Sequence, residues 1–179
     1  MPFREGLAFV YDALIGFGLK KDIKIIASGK ILTGFHIFRA IALGADACYS
    51  ARAMMLALGC IQALECNKNN CPTGVATQKP DLVKGLVVSD KKERVANFHH
   101  STVEAFVELL AAAGIDDPTA INRTDVYRRV SMDDIRRYDN VYPYLSPGCL
   151  LQEASVPNAW KSCLAEANAD SFKGDFQLQ

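Results

Sequence analysis

Apolar positions along the first third of the chain change period in a regular way. Between residues 4 and 17, Leu7, Val10, Tyr11, Leu14 and Ile15 recur at helical spacing, and Gly16 and Gly18 supply a stop. Residues 23–27 are a short β-branched run that predicts a strand buried on both faces. Ser28, Gly29 and Lys30 follow, then Thr33-Gly34 and a predicted helix over 35–43 closed by Gly44. Residues 45–49 predict a second buried strand, Ser50 and Ala51 come next, and an apolar helix is expected from about 52 to 64. Strand, helix, strand, helix with short connections predicts parallel strands joined by crossover helices. Two parallel strands cannot bury both of their faces alone, so the pattern asks for more sheet. A complete barrel of such units needs about 250 residues and eight repeats.

The rest of the chain reads differently. Residues 66–78 hold Asn67, Asn69, Asn70, Pro72 and Gly74, all turn-formers, and predict a loop. A short turn is expected within 81–88. Residues 90–113 predict one amphipathic helix with Val95, Phe98, Val103, Phe106, Val107 and Leu110 on its apolar side, stopped by Gly114. Asp117-Pro118 turns into further helix, Arg123-Thr124-Asp125 predicts a short helix, and Ser131 with Asp134 resembles a helix-starting box. From 141 onwards the chain reads as a meandering tail whose last ten residues are expected to be disordered. The division expected is residues 1–88 as an α/β unit and 89–179 as a mostly helical extension.

Composition narrows the function. The 179 residues are 50% hydrophobic with a formal net charge of zero. That is enough for a real core and gives no reason to expect a nucleic-acid or anionic-membrane partner. Lys91-Lys92 and Arg128-Arg129 have acids nearby and read as solvated helix faces. The apolar stretch 53–64 is too short to span a bilayer, no secretory signal is visible, and the expectation is a cytoplasmic protein. In a reducing compartment the six cysteines are not a disulfide framework.

Two constellations could carry chemistry. Ser28-Gly29 and Ser50-Ala51 place small residues after both strands, where backbone N–H groups can approach an anion, and Arg52 could pair with a phosphate there. Equally, these are two ordinary turns whose small residues serve packing. Cys60, Cys66 and Cys71 form Cys-x5-Cys-x4-Cys across a helix end and a polar loop, so three thiolates could hold an iron cluster. The alternative is one packed cysteine and two loop thiols. A structural zinc site would carry a Cys-x2-4-Cys knuckle, which is absent. Cys48 reads as core, and Cys149 and Cys163 are given no role. His36, His99 and His100 read as structural or solvated, and no catalytic set stands out at a useful spacing.

The stretches 25–34 (Ile-Ile-Ala-Ser-Gly-Lys-Ile-Leu-Thr-Gly), 42–46 and 50–55, then Gly59-Cys60, Cys66 and 70–78 (Asn-Cys-Pro-Thr-Gly-Val-Ala-Thr-Gln), resemble in order and spacing the end of the flavin-binding domain of glutamate synthases. The resemblance covers about residues 3–110 and is densest over 23–78. It implies an α/β fold: the C-terminal portion, about strands 7–8, of a (β/α)8 TIM barrel followed by a mostly helical extension. It implies FMN, with Ser28, Gly29, Lys30, Ser50, Ala51 and Arg52 around the flavin phosphate, and a three-iron, four-sulfur (3Fe-4S) cluster on Cys60, Cys66 and Cys71. It implies an oxidoreductase that takes electrons from ferredoxin or NADPH and reduces 2-iminoglutarate, made from 2-oxoglutarate and ammonia, to glutamate. The chain lacks a match to the family's glutamine-hydrolysing domain and to most of the barrel. Beyond about residue 108 it looks more like shorter, stand-alone members. The expectation is therefore a part inactive by itself. Other readings are a non-catalytic remnant that self-associates or docks on a partner supplying barrel strands, and a flavin-free phosphate-binding barrel fragment.

Overall fold

The computed structural model describes residues 1–171 and is a mixed α/β fold; the last eight positions, and with them most of the stretch expected to be disordered, lie outside the described residues. Helix α1 (Phe3–Gly16) leads to strand β1 (Ile26–Ser28), helix α2 (Gly34–Ala42), strand β2 (Ala47–Tyr49) and helix α3 (Arg52–Ala57). A 3-10 turn (Cys66–Lys68) and helices α4 (Pro80–Val83) and α5 (Val88–Ala113) follow. The extension holds β3 (Tyr127–Arg129), β4 (Ile135–Arg137), α6 (Tyr138–Val141) and α7 (Asn158–Glu166).

β1 and β2 pair in parallel with Ile26, Ala27 and Ser28 opposite Ala47, Cys48 and Tyr49. The crossover between them is α2, started by Thr33, whose hydroxyl accepts from the His36 N–H at 3.3 Å. Strands were expected to be buried on both faces, and here one face is open. Ala27 is 3% exposed, while Ile26 and Tyr49 on the other face are 51% and 64% exposed. The cause is the one anticipated from the pattern: among the described residues this sheet has two strands, and nothing covers its second face.

The core joins both halves of the chain. Leu7, Ala27, Phe38, Leu43, Phe106, Leu110, Ile121 and Tyr138 belong to one buried cluster. α2 meets α5 so closely that a Cβ added to Gly34 would lie 2.5 Å from the Phe106 backbone nitrogen, which is why position 34 carries no side chain.

Two local expectations change, and a third, the short helix at Arg123–Asp125, is met in 3-10 form. The helix expected over 52–64 stops at Ala57, because Gly59 takes φ 102 and Gln62 and Leu64 both take φ 58, which no right-handed helix can carry through. Arg123–Asp125 is a single 3-10 turn, capped when Asn122 accepts from the Thr124 N–H and Asp125 accepts from the Asn122 N–H. The Ser131/Asp134 pair does not start a helix. It closes an antiparallel hairpin in which the N–H groups of Val130 and Ser131 donate to the Asp134 carbonyl, and β-prone Tyr127 and Ile135 flank it in the ladder.

Two charge clusters also depart from expectation. Arg128 is not on a solvated helix but on β3, where its guanidinium donates to Glu5 at 3.2 Å and to the Tyr142 hydroxyl at 2.8 Å. Burial pushes the Glu5 carboxyl up, but hydrogen bonds from its own helix start, Tyr142 and Arg128 outweigh it and hold the pKa below the usual value. Lys91 is only 18% exposed and sits 2.9 Å from Asp90.

Candidate functional site

The parallel register sets the carboxyl ends of β1 and β2 side by side, so the loop Ser28-Gly29-Lys30 adjoins Ser50-Ala51-Arg52. The Ser50 hydroxyl donates to the Ile31 carbonyl at 2.6 Å and ties one loop to the other. Gly29 is pressed by the Phe3 ring of α1, which would lie 2.7 Å from an added Cβ and would have to shift to admit one. Lys30 takes φ 55. Lys30 and Arg52 enter no ion pair among the described residues, Ser28, Lys30, Ala51 and Arg52 are exposed, and the start of α3 has no side-chain cap. Two free cations, an exposed hydroxyl and unclaimed backbone N–H groups are a donor set that fits a phosphate. The structure thus brings all six residues expected at the phosphate together at one end of the sheet.

The cysteine loop has the other concentration of unusual backbone. Of the described non-glycine residues, only Lys30, Gln62, Leu64 and Asn69 take positive φ, so all four fall in the two candidate loops. Backbone held this way costs of order 1–3 kcal/mol at each position and gathers where a ligand is bound. Asn69 ends the 3-10 turn that begins at Cys66 and accepts from the Gln78 N–H at 2.6 Å, while the Thr77 hydroxyl donates to the Asn69 carbonyl at 2.8 Å. The loop is therefore pinned shut at its base. Gly74, at φ 77, lies against the Leu82 carbonyl and leaves no room for a Cβ.

The three thiols stand in different settings: Cys60 is half-buried and accepts from the Gln62 N–H at 3.4 Å, Cys66 is exposed, and Cys71 is buried. The Thr73 hydroxyl, 3.4 Å from the Cys71 sulfur, and the N–H groups of Ala76, Thr73 and Val75 bring that thiol down to about 7. A sulfur ringed by donors is a ready thiolate. All six cysteines are free. Among the described residues no three of His, Cys, Asp and Glu stand as a set for a single metal ion. A cluster asks for something else, because it spreads its thiolates over separate iron atoms. The donor chemistry fits such a group: three free thiols in one short segment, Cys60 after α3, Cys66 at the 3-10 turn and Cys71 inside the pinned loop and already biased towards the anion. Burial pushes the Cys48 thiol up, in keeping with its place in the strand core.

A cavity of about 430 Å³ opens at the opposite, amino end of the strands, lined by Tyr11, Lys24, Asp46, Asn122 and Tyr144 among others. Its polar groups are already engaged. Asp46 accepts from Lys20 at 2.9 Å and from the Ile25 N–H at 2.7 Å, and the Tyr144 hydroxyl accepts from the Arg123 N–H at 2.8 Å. Ligands of parallel α/β sheets bind beyond the carboxyl ends instead.

Sequence reasoning missed the residues that lock the extension onto α1. Arg123 is fully buried and donates to Asp12 at 2.9 Å and to the Tyr142 carbonyl at 2.7 Å, between the rings of Tyr11 and Tyr144. The partners are 111 positions apart, so no local spacing could have disclosed them. It also missed Lys91 and Arg94 of α5, which reach over Gly59 beside Cys60. No helix among the described residues is long and apolar enough to cross a membrane.

Comparison with known proteins adds the following. Residues 1–116 match the family model described as the conserved region in glutamate synthase. The chain is 43% identical over 141 residues to the glutamate synthase large subunit-like protein YerD of Bacillus subtilis, covering 79% of this chain and 27% of that protein. It is 44% identical over 116 residues to the archaeal glutamate synthase (NADPH) of Methanocaldococcus jannaschii, covering 65% of this chain and 23% of that one. It is 33% identical over 127 residues to the glutamate synthase (NADPH) large chain of Bacillus subtilis, 8% of that protein's length. The chain thus spans about a quarter or less of these relatives, and the YerD match is longer than the region covered by the family model.

Proposed function

The chain belongs to the glutamate synthase family of oxidoreductases, and from that premise we propose that it is the cofactor-binding end of a flavin- and cluster-containing (β/α)8 barrel, about strands 7–8, with residues 89–179 as its extension. In this reading Ser28, Gly29, Lys30, Ser50, Ala51 and Arg52 hold the phosphate of FMN. Cys60, Cys66 and Cys71 hold a 3Fe-4S cluster. The observation that carries it is the confinement of every described left-handed non-glycine residue to these two loops, next to cations that have no ion-pair partner among the described residues and a thiol lowered to about 7.

When bound, the flavin supplies hydride transfer to 2-iminoglutarate and the cluster supplies electron relay from ferredoxin or NADPH. The chain's own residues do the holding. Lys30 and Arg52 neutralise the phosphate. The Ser50–Ile31 hydrogen bond fixes the two loops at one spacing. The Thr73 hydroxyl and the Val75 and Ala76 N–H groups keep Cys71 as a ligand. The substrate pocket requires strands beyond the two in this sheet, so the whole reaction needs the rest of a barrel. The test is anaerobic reconstitution of the chain with iron, sulfide and FMN, followed by absorption and electron paramagnetic resonance spectra. A three-iron signal that disappears in Cys66→Ser is expected. FMN uptake without any cluster would sink the assignment of the cysteines.

A second reading is favoured by one observation. On the open face of the parallel sheet Ile26 and Tyr49 are 51% and 64% exposed, where paired parallel strands are ordinarily covered. In this reading the open sheet docks on another copy or on a partner that supplies strands. Sedimentation decides it, since a monomer at micromolar concentration would rule out self-association.

A further inference from the structure

We infer that Arg94, with Lys91, is the charge that tunes the cysteine loop: α5 lays the two cations over Gly59, beside Cys60, and they favour the more negative state of a cluster bound there. The inference rests on the cluster reading above. A Cβ added to Gly59 would lie 3.8 Å from the Lys91 ammonium and 4.0 Å from an Arg94 guanidinium nitrogen. Gly59, at φ 102, thus gives both the turn that ends α3 and the space through which the cations approach the loop.

The local charges do not cancel. Lys91 is paired with Asp90 at 2.9 Å, Lys92 with Glu93 at 3.7 Å, and, on the loop side, Lys68 with Glu65 at 3.2 Å. Arg94 enters no ion pair among the described residues, though it shares with Lys91 the field of Asp90 one turn back. Set against Asp90, one net positive charge of the pair therefore remains over Gly59, the residue before the first thiol of the set. Three ferric irons, four sulfides and three thiolates sum to a dianion, and adding one electron makes a trianion. A nearby fixed cation stabilises the trianion more, which raises the reduction potential, and net charge around a cluster is one of the factors that set it. Arg94 and Lys91 are in this sense positioning residues that act through the field at the loop.

Two measurements on the full chain test this. The first needs no cofactor. Cys60 is alkylated with anionic iodoacetate and, separately, neutral iodoacetamide at one pH, so that its thiolate fraction cancels in the ratio of rates. Peptide mass spectrometry reads the ratio, with exposed Cys163 as reference. Arg94→Gln is expected to lower the Cys60 ratio by about threefold at low salt, Arg94→Lys to retain it, and roughly 1 M salt to erase the difference. An unchanged ratio in Arg94→Gln overturns the proposal. The second is a redox titration of the reconstituted chain followed by electron paramagnetic resonance. Arg94→Gln is expected to shift the potential downwards and Arg94→Lys to restore it. A cluster with the same potential in Arg94→Gln overturns the tuning role and leaves the cysteine assignment standing. No cluster in the unmodified chain overturns that assignment, and the tuning role with it.

Discussion

Before the first residues of β1 and β2, Asp46 takes hydrogen bonds from the Ile25 N–H at 2.7 Å and from Lys20 at 2.9 Å, and Lys24 lies 3.6 Å away. Behind them Arg123 is wholly buried against Asp12, the carbonyl of Tyr142 and the rings of Tyr11 and Tyr144. In the loops after the strands and after α3 the arrangement is reversed. Lys30 and Arg52 have no carboxylate partner among the described residues, the backbone is left-handed at Lys30, Gln62, Leu64 and Asn69, and apolar Ile61 and Leu64 are 66% and 82% exposed. One region pairs its charges, with the buried Arg123 Nε left without an acceptor, and the other holds cations and left-handed backbone that no carboxylate among the described residues answers. That difference separates stabilising machinery from binding machinery more clearly than cavities do, since one of about 430 Å³ lies at the first end and another of about 560 Å³, lined by Cys66, Asn69 and Gln78, lies at the cysteine loop.

The contrast can be broken where its effect is largest. Arg123→Ala leaves Asp12 buried without its partner and is expected to cost about 3–5 kcal/mol, read as a fall in the urea midpoint. A loss under about 1 kcal/mol would mean that the charge-paired end is not the stability centre. Gly74→Ala comes next: a Cβ would meet the Leu82 carbonyl at φ 77, and the same titration should show a loss of about 1–3 kcal/mol.

Leu64→Gly sharpens the comparison from the other side. Its side chain is already in solvent, so relieving the left-handed backbone should stabilise the cofactor-free chain by about 0.5–1 kcal/mol. Destabilisation instead would show that the loop is not strained. The smallest effect concerns pH. Burial pushes the Asp46 carboxyl up, but the Ile25 N–H and Lys20 and Lys24 hold it below its usual value. A depressed carboxylate adds stability that is present above the unfolded pKa of about 3.9 and lost as pH falls through the lower folded value. Asp46→Asn should therefore flatten the acid limb of stability below about pH 4 by less than about 1 kcal/mol, measured as thermal midpoint against pH.

Much of the site was legible because its signals are local. Small residues after an apolar run mark a turn with close backbone approach, and Gly29 and Gly34 prove to be positions where a neighbour would crowd an added Cβ. Asn, Pro and Gly between Cys66 and residue 78 mark a loop, and hydrogen bonds from Thr77 and to Asn69 close it. The early end of α3 was read too late: Gly59 marks it, but the apolar run continues past it, and Gln62 and Leu64 are ordinary helix formers that here take left-handed backbone. The β3–β4 hairpin was misread as helical starts because Ser131 and Asp134 serve a turn as readily as a cap.

By itself the sequence determined the order of strands and crossover helices, the two glycine-bearing turns, the spacing of the three cysteines and the resemblance to glutamate synthases. Each of these is written in periodicity or in a short run of residues. Only the tertiary structure decided that Arg123 would be buried on Asp12, that Arg128 would meet Glu5, that Lys91 and Arg94 would reach Gly59, and that one face of the sheet would stand open. These depend on which distant segments come to share a low-dielectric interior, and whether a charge is paired or a strand face covered is fixed by the neighbours that packing brings, not by the residue's own position in the chain.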